Sequence, residues 1–547
     1  MGLKDKSTIL TDSNNRIANV IRKGLLHAVG IEADDLRKKP LIAIANSHSE
    51  LTAGHSHLAT LGQKVKAGIL MAGGQAVEFN VPAPCDGMGM GNDGMRYILA
   101  QRDLIADIVE THVRSQRFDA VVMIASCDKI NPGMMMAAAR LDLPAIYLAG
   151  GPNLYDVRLK GKFANSIEGT DYQDRDTKRS TISCATCGAC EVMGTANTFQ
   201  CLAEVMGICL PGSSNVPAAH SDKLLYARLT GERIVEMVRE GLNFRRILTK
   251  EAMLNAVKMN MAIGGSTNAI LHLPAIAKSA DLDLPLSVFE EASRQVPTLL
   301  AVAPNGPWGI ADLWAAGGMP AVIKTMASDL DLNCLTVMGR PLAEVAEAAR
   351  VLDPRVIPPR DKPHRKDGGI AVLTGNLAPE GAVIKQSAVK PELLRFEGPA
   401  RIFESEDAAV EAIEGGRIED GDVVVMRYMG PKGAPGMPEM LSITSLIKHH
   451  NINAALVTDG RFSGGTSGPC VGHIAPEAYA GGPIAALQDG DRILIDVPNR
   501  AVSVALDEAT LARRLQGVVR VENPVPTGFL RLYRKYVSSA SRGAILE

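Results

Sequence analysis

The chain has 547 residues, 46% of them hydrophobic, and a formal net charge of -2, which is enough apolar material for two or three cores and excludes a disordered polyelectrolyte. Its 58 basic and 60 acidic side chains form no sustained Lys/Arg block, so neither nucleic acid nor an anionic membrane is expected as a partner. The start, MGLKDKSTIL, lacks the apolar run of a signal peptide, and no apolar stretch is long enough to span a bilayer, which predicts a cytoplasmic protein acting on a small molecule.

From residue 40 to about residue 151, short apolar runs (LIAIAN, DAVVMIAS, PAIYLAG) alternate with amphipathic stretches at 103–114 and 134–140. Alternation of this kind predicts an α/β fold, a largely parallel sheet covered by helices. Helical patterning dominates from 222 to 352. The stretch DPRVIPPRDKPHRKDGG at 353–369 concentrates proline and charge without apolar periodicity and reads as a linker. Beyond it, GIAVLTGNL, GDVVVMRYMG, AALVTDG and DRILIDV are strand-like runs separated by Gly/Pro turns. The expected organisation is an N-terminal α/β/α parallel-sheet domain, residues 1–365, followed by a mainly β, barrel-like domain, residues 366–547.

The 9 cysteines are an odd set, several in or beside glycine-rich segments, which suits metal ligation in a reducing compartment better than a disulfide framework. SCATCGAC places Cys184, Cys187 and Cys190 at two successive CxxC spacings, while Cys127 ends the run DAVVMIAS. Such thiolates suit an iron–sulfur cluster, a structural zinc or simple burial. Asp128 and Lys129 directly after Cys127 favour the cluster, because a structural zinc needs no such polar pair. Asp86, in PAPCDGMGMGNDG, and Asp128 stand at predicted strand ends, where a carboxylate either reaches a hard cation or caps the next helix. In the second domain GPKGAPGMPEML presents Glu439 and TDGRFSGGTSG presents Ser463 among glycines, an anion-approaching loop or a plain hairpin. AIGGSTNAIL, with Gly264, Gly265, Ser266, Thr267 and Asn268, reads equally as an anion cradle and as an N-cap. GMGMGNDG has closely spaced glycines but lacks the acidic residue about 20 positions on that dinucleotide binding requires.

In this order, from NSHSELTAGHSHL through TDGRFSGGTSG to IDVPNR, these segments resemble the dihydroxy-acid dehydratase family, whose relatives include phosphogluconate and sugar-acid dehydratases. The resemblance implies a hydro-lyase that converts a 2,3-dihydroxy carboxylic acid to a 2-keto acid in branched-chain amino acid biosynthesis. It implies an iron–sulfur cluster on Cys127 and Cys190, and Mg2+ or Mn2+ on Asp86, Asp128, Glu439 and a carbamylated Lys129. Ser463 is implied as the catalytic base, and the assembly as a homodimer or homotetramer. Two-iron members carry a third cysteine where this chain has Gly54, which points to a [4Fe-4S] rather than a [2Fe-2S] cluster and leaves Cys187 or Cys184 to supply a further ligand. GMGMGNDGMRYILAQRD and EVMGTANT depart from the branched-chain enzymes, the latter toward sugar-acid dehydratases, so an aldonate such as gluconate, or glycerate, is the alternative substrate. A non-catalytic iron–sulfur sensor is the alternative of another class.

Overall fold

A computed structural model describes residues 7–154 and 184–547. The N-terminal sheet has four strands, β1 (Leu41–Asn46), β2 (Gln75–Asn80), β3 (Ala120–Ala125) and β4 (Ala145–Ala149), all parallel and in the order β2-β1-β3-β4. Strands β1, β3 and β4 are buried along their whole length, as expected of a parallel sheet covered on both faces, whereas the edge strand β2 only partly so. From β1 the chain steps outward to β2, and from β3 it steps the opposite way to β4. Right-handed crossovers then place the helices Leu58–Met71 and Ile130–Leu141 on opposite faces. The order reverses between β1 and β3, and the crevice outside their C-terminal ends is where such sheets hold ligands.

The stretch read as amphipathic at 134–140 lies in Ile130–Leu141, which is buried almost all round, because it is sandwiched between the sheet and the helices Met95–Ser115 and Ala269–Ser279. Its first residue follows Lys129 directly. The stretch 353–369 contains no helix or named strand but is not a free tether. Val356 and Ile357 are buried, Arg360 pairs with Asp329 at 2.8 Å, and Gly368 N–H donates to Ser293 O at 2.8 Å. Arg365 likewise donates to Gln386 O and Val389 O, fixed partners that composition alone does not reveal.

The C-terminal part closes into an eight-stranded barrel. Its strands are β5 (Ala371–Gly375), β6 (Ala378–Ile384), β7 (Arg395–Phe403), β8 (Val423–Met426), β9 (Ala455–Thr458), β10 (Cys470–Ala475), β11 (Arg492–Asp496) and β12 (Ala501–Val504). The order is β10-β6-β5-β12-β11-β7-β8-β9, closed by a parallel β9–β10 pairing. Because β8 and β9 are also parallel neighbours, the loops that follow them leave the barrel at the same end. Those loops carry Glu439 and Ser463. Among the described residues no helix is long and apolar enough to cross a membrane.

Candidate active site

The sheet supplies the first half of the site. Cys127, Asp128 and Lys129 occupy the turn between β3 and the helix Ile130–Leu141, and Asp86 opens the one-turn helix Asp86–Gly89 in the connection after β2. The barrel supplies the second half. Glu439 and Arg461 form a parallel bridge, with Met440 N–H donating to Arg461 O at 2.9 Å, so the loops after β8 and β9 are zipped together beside the sheet's crevice.

Asp86, Asp128 and Glu439 present carboxylate oxygens within 4.8 Å of one another. Lys129, 1% exposed, lies among them with Nζ 2.7 Å from Asp86 Oδ2, 3.1 Å from Asp128 Oδ2 and 3.5 Å from Glu439 Oε1. A second buried cation, Arg461, pairs with Glu439 and stands 3.8 Å from Asp86 Oδ2. Burial pushes Asp86 up, but Lys129 and Arg461 outweigh it and hold this carboxyl below its usual range. Asp128 is raised to about 7 by burial, with Asp86 and Glu439 adding to the rise against the pull of Lys129. Glu439 is raised by burial and by Asp86. Burial and Arg461 lower Lys129, yet the three carboxylates prevail and raise it. Oxygen ligands around one point, with Asp86 Oδ1 buried and unpartnered, are what a hard divalent cation needs.

Cys127 lies on the other side of the same turn. Burial pushes its thiol well above the ordinary range, and the neighbouring Cys85 and Cys190 thiols push it further. The β1 connection closes over it at Gly54, where a Cβ would stand 2.8 Å from Cys127 Sγ and 3.7 Å from Gly188 O. Gly188 N–H donates to Ala53 O at 2.9 Å, so the segment bearing Cys187 is docked on this turn. Asn197 holds the Cys190 segment by donating to Cys190 O and, at 2.9 Å, to Val192 O. Cys187 is half-buried and Cys184 exposed. Thiols converging from separate segments fit a cluster, and ligation would draw off the protons that burial otherwise retains.

Ser463 is half-buried in the loop after β9, and its Oγ accepts from Gly465 N–H at 3.2 Å. The adjoining Gly464 is pressed against the N-terminal part, with a Cβ there falling 2.8 Å from Ser266 Oγ and 3.1 Å from Gly194 Cα. Ser266 in turn meets Thr195 Oγ1 at 2.9 Å, and Asn268 Nδ2 donates to Thr195 Oγ1 at 3.0 Å and to Glu439 Oε1 at 3.2 Å. The AIGGSTNAIL segment is thus a docking point for both barrel loops.

Two model matches cover the chain almost end to end. Residues 39–345 match the dihydroxy-acid/6-phosphogluconate dehydratase N-terminal model, and residues 355–544 match its C-terminal counterpart. The chain belongs to this family of dehydratases. Among curated relatives named dihydroxy-acid dehydratase, that of Ignicoccus hospitalis is 47% identical, that of Caldanaerobacter subterraneus subsp. tengcongensis 46% and that of Thermodesulfovibrio yellowstonii 45%. Each alignment covers 96% of this chain and 97% of the relative.

The family's sequence pattern led to Asp86, Cys127, Asp128, Lys129, Cys190, Glu439 and Ser463. Arg461 lies in TDGRFSGGTSG but gains its carboxylate partners only when the loops pair, so local sequence does not mark it. Thr195 has the same weakness, while Asn268, expected in an anion cradle or an N-cap, instead donates to Glu439 Oε1. Asp459 and Glu477, which order the Glu439 loop by accepting backbone N–H groups, carried no spacing signal at all.

Proposed function

We propose that the chain is a dihydroxy-acid dehydratase acting on branched 2,3-dihydroxy acids, such as 2,3-dihydroxy-3-methylbutanoate, and releasing water and a 2-keto acid. The observation that carries this reading is the meeting of Asp86, Asp128, Lys129 and Glu439 with the Ser463 loop and the Cys127 turn, in a chain similar over nearly its full length to proteins of that name.

In this reading Asp86, Asp128 and Glu439 hold Mg2+ or Mn2+, and Lys129 joins them as a carbamate. Carbamylation turns the lysine from counter-ion into ligand and leaves Arg461 alone against four anions, an excess that a divalent cation offsets. Cys127, Cys190 and Cys187 hold an iron–sulfur cluster of the [4Fe-4S] type, since Gly54 brings no thiolate to its turn. When bound, the cation and the cluster supply Lewis acidity toward the substrate's carboxylate and hydroxyl oxygens.

Ser463 takes the C2 proton. A free serine hydroxyl is far too weakly acidic for this, and the Gly465 N–H, 3.2 Å from Oγ, stabilises negative charge there. The branched-acid reading rests on the similarity to proteins named dihydroxy-acid dehydratase over nearly the full chain. The enzyme is cytoplasmic and works as a homodimer or homotetramer. In support of an assembly, the helix Arg16–Ala28 buries none of its residues and exposes Ile17, Val20, Ile21 and Leu25, and so short a helix is marginal without a covering surface.

The deciding experiment is an anaerobic keto-acid assay with branched dihydroxy acids, gluconate, xylonate and glycerate in parallel. The reading expects kcat/KM at least about 100-fold higher for the branched acids. Equal or higher turnover of an aldonate would overturn it.

A further inference from the structure

Lys385 directly follows β6, and it is 3% exposed. Its Nζ donates to Gly464 O at 2.7 Å and to Met193 O at 3.2 Å. These two carbonyls belong to different halves of the molecule. Gly464 adjoins Ser463 in the barrel loop, whereas Met193 lies three positions beyond Cys190 and is itself tied by its N–H to Ala303 O at 2.7 Å. Among the described residues no carboxylate pairs with this lysine, and burial pushes it down to about 7. An apolar side chain of the same length would fill the space without the cost of burying an amine. What it would not do is join the two carbonyls.

The same turn is constrained a second time, because Gly464 abuts Ser266 and Gly194 so closely that a Cβ has no room. The residue after Ser463 is therefore held both by close packing and by one hydrogen bond from Lys385, whose other hydrogen bond goes to Met193 O. We propose that Lys385 is a positioning residue that straps the Ser463 loop to the segment following Cys190, so that the base and the cysteine-bearing segment hold one register. The proposal rests on the reading of Ser463 as the base. It matters because the proton leaves one carbon and the hydroxyl leaves its neighbour, so the two protein segments serving those carbons must keep a fixed separation.

The test compares Lys385→Met, Lys385→Arg, Gly464→Ala and Ser463→Ala, all purified anaerobically with the full chain. Measured are kcat, KM, iron and sulfide per chain, the electron paramagnetic resonance signal of the reduced protein, and amide hydrogen exchange in the peptides covering 192–195 and 460–468. For Lys385→Met the expected result is a kcat loss of about 30- to 100-fold with KM within about threefold, unchanged iron and sulfide, and faster exchange in both peptides. Lys385→Arg, which keeps the donors, should recover kcat to within about fivefold of the parent. Gly464→Ala should reproduce the kcat loss by disturbing the packing of the same turn, and it carries the test if Lys385→Met fails to fold.

A Lys385→Met enzyme with kcat within about twofold of the parent overturns the proposal, as does iron lost in proportion to activity. Ser463→Ala separates the two levels. If it stays active, the assignment of the base fails; if it is dead while Lys385→Met is unimpaired, only the strap fails.

Discussion

Gly54 and Cys127 touch so closely that a single carbon added to Gly54 would stand 2.8 Å from the Cys127 sulfur. Cys127 is itself half-buried in a turn fixed by β3 and the helix behind it, so the sulfur has little freedom to move aside. Gly54→Ala is expected to lower bound iron and sulfide below about half of the parent's content while the fold persists, at a stability cost of about 1–3 kcal/mol. Metal analysis beside circular dichroism checks this, and full iron loading of the variant would refute it.

Lys129 offsets much of the carboxylate charge of the metal-free site, and its removal tests that. Lys129→Met leaves Asp86, Asp128 and Glu439 facing one another with Arg461 as the remaining close cation. Uncompensated buried charge of this kind costs about 3–5 kcal/mol. In chelator the variant should therefore melt well below the parent, and Mg2+ should restore more of its stability than it adds to the parent's, because the ion binds the folded state alone. Turnover should fall by at least about 1000-fold. Equal melting temperatures in chelator would remove the basis for treating Lys129 as the site's internal counter-ion.

How much of this was legible beforehand follows from range. The strand runs LIAIAN and DAVVMIAS are local signals, and the residues that end them, Cys127 to Lys129, inherit their position from the sheet. Asp86 and Ser463 stood out because glycines flank them. Arg461, Asn268 and Lys385 owe their roles to partners 22, 171 and 79 positions away, contacts that no periodicity encodes. The 353–369 segment shows the same limit in reverse, since its prolines and charges imply a loose tether while buried Val356 and Ile357 and the Arg360–Asp329 pair anchor it.

A pH dependence follows from the Glu439 loop. Glu477 accepts the N–H groups of Lys432 and Gly433, and Asp459 accepts those of Tyr428, Met429 and Ala478. These donors favour the ionised forms but do not overcome burial, which raises Glu477 to about 7, with Asp459 adding to the rise, and raises Asp459 to about 6. A carboxyl raised on folding contributes stability that is whole below its unfolded pKa, near 4, and is lost as pH climbs through its folded value. Between pH 4 and pH 7 the protein should lose on the order of 1–3 kcal/mol through Glu477. Glu477→Gln cannot ionise, so its melting temperature relative to the parent should rise from pH 5 to pH 8. A difference that stays constant across that range would show that Glu477 does not titrate there.

Asn268 offers the sharpest separation of hydrogen bonding from charge. Its amide is fully buried and donates to both Glu439 Oε1 and Thr195 Oγ1, so it orients a carboxylate already crowded by Asp86 and Asp128. Asn268→Ala removes the donor and leaves Thr195 its contact with Ser266, which limits the damage to about 1–3 kcal/mol. Asn268→Asp keeps the shape but sets a further anion beside Glu439, and in a buried site that repulsion exceeds the loss of one donor. In chelator the order of melting temperature should be parent, then Asn268→Ala, then Asn268→Asp. A divalent cation attracts the added carboxylate as it does the other three, so saturating Mg2+ should narrow the gap between the two variants or reverse it. The same order with and without Mg2+, at an unchanged interval, would mean that Asn268 answers to packing rather than to the charge of the Glu439 site.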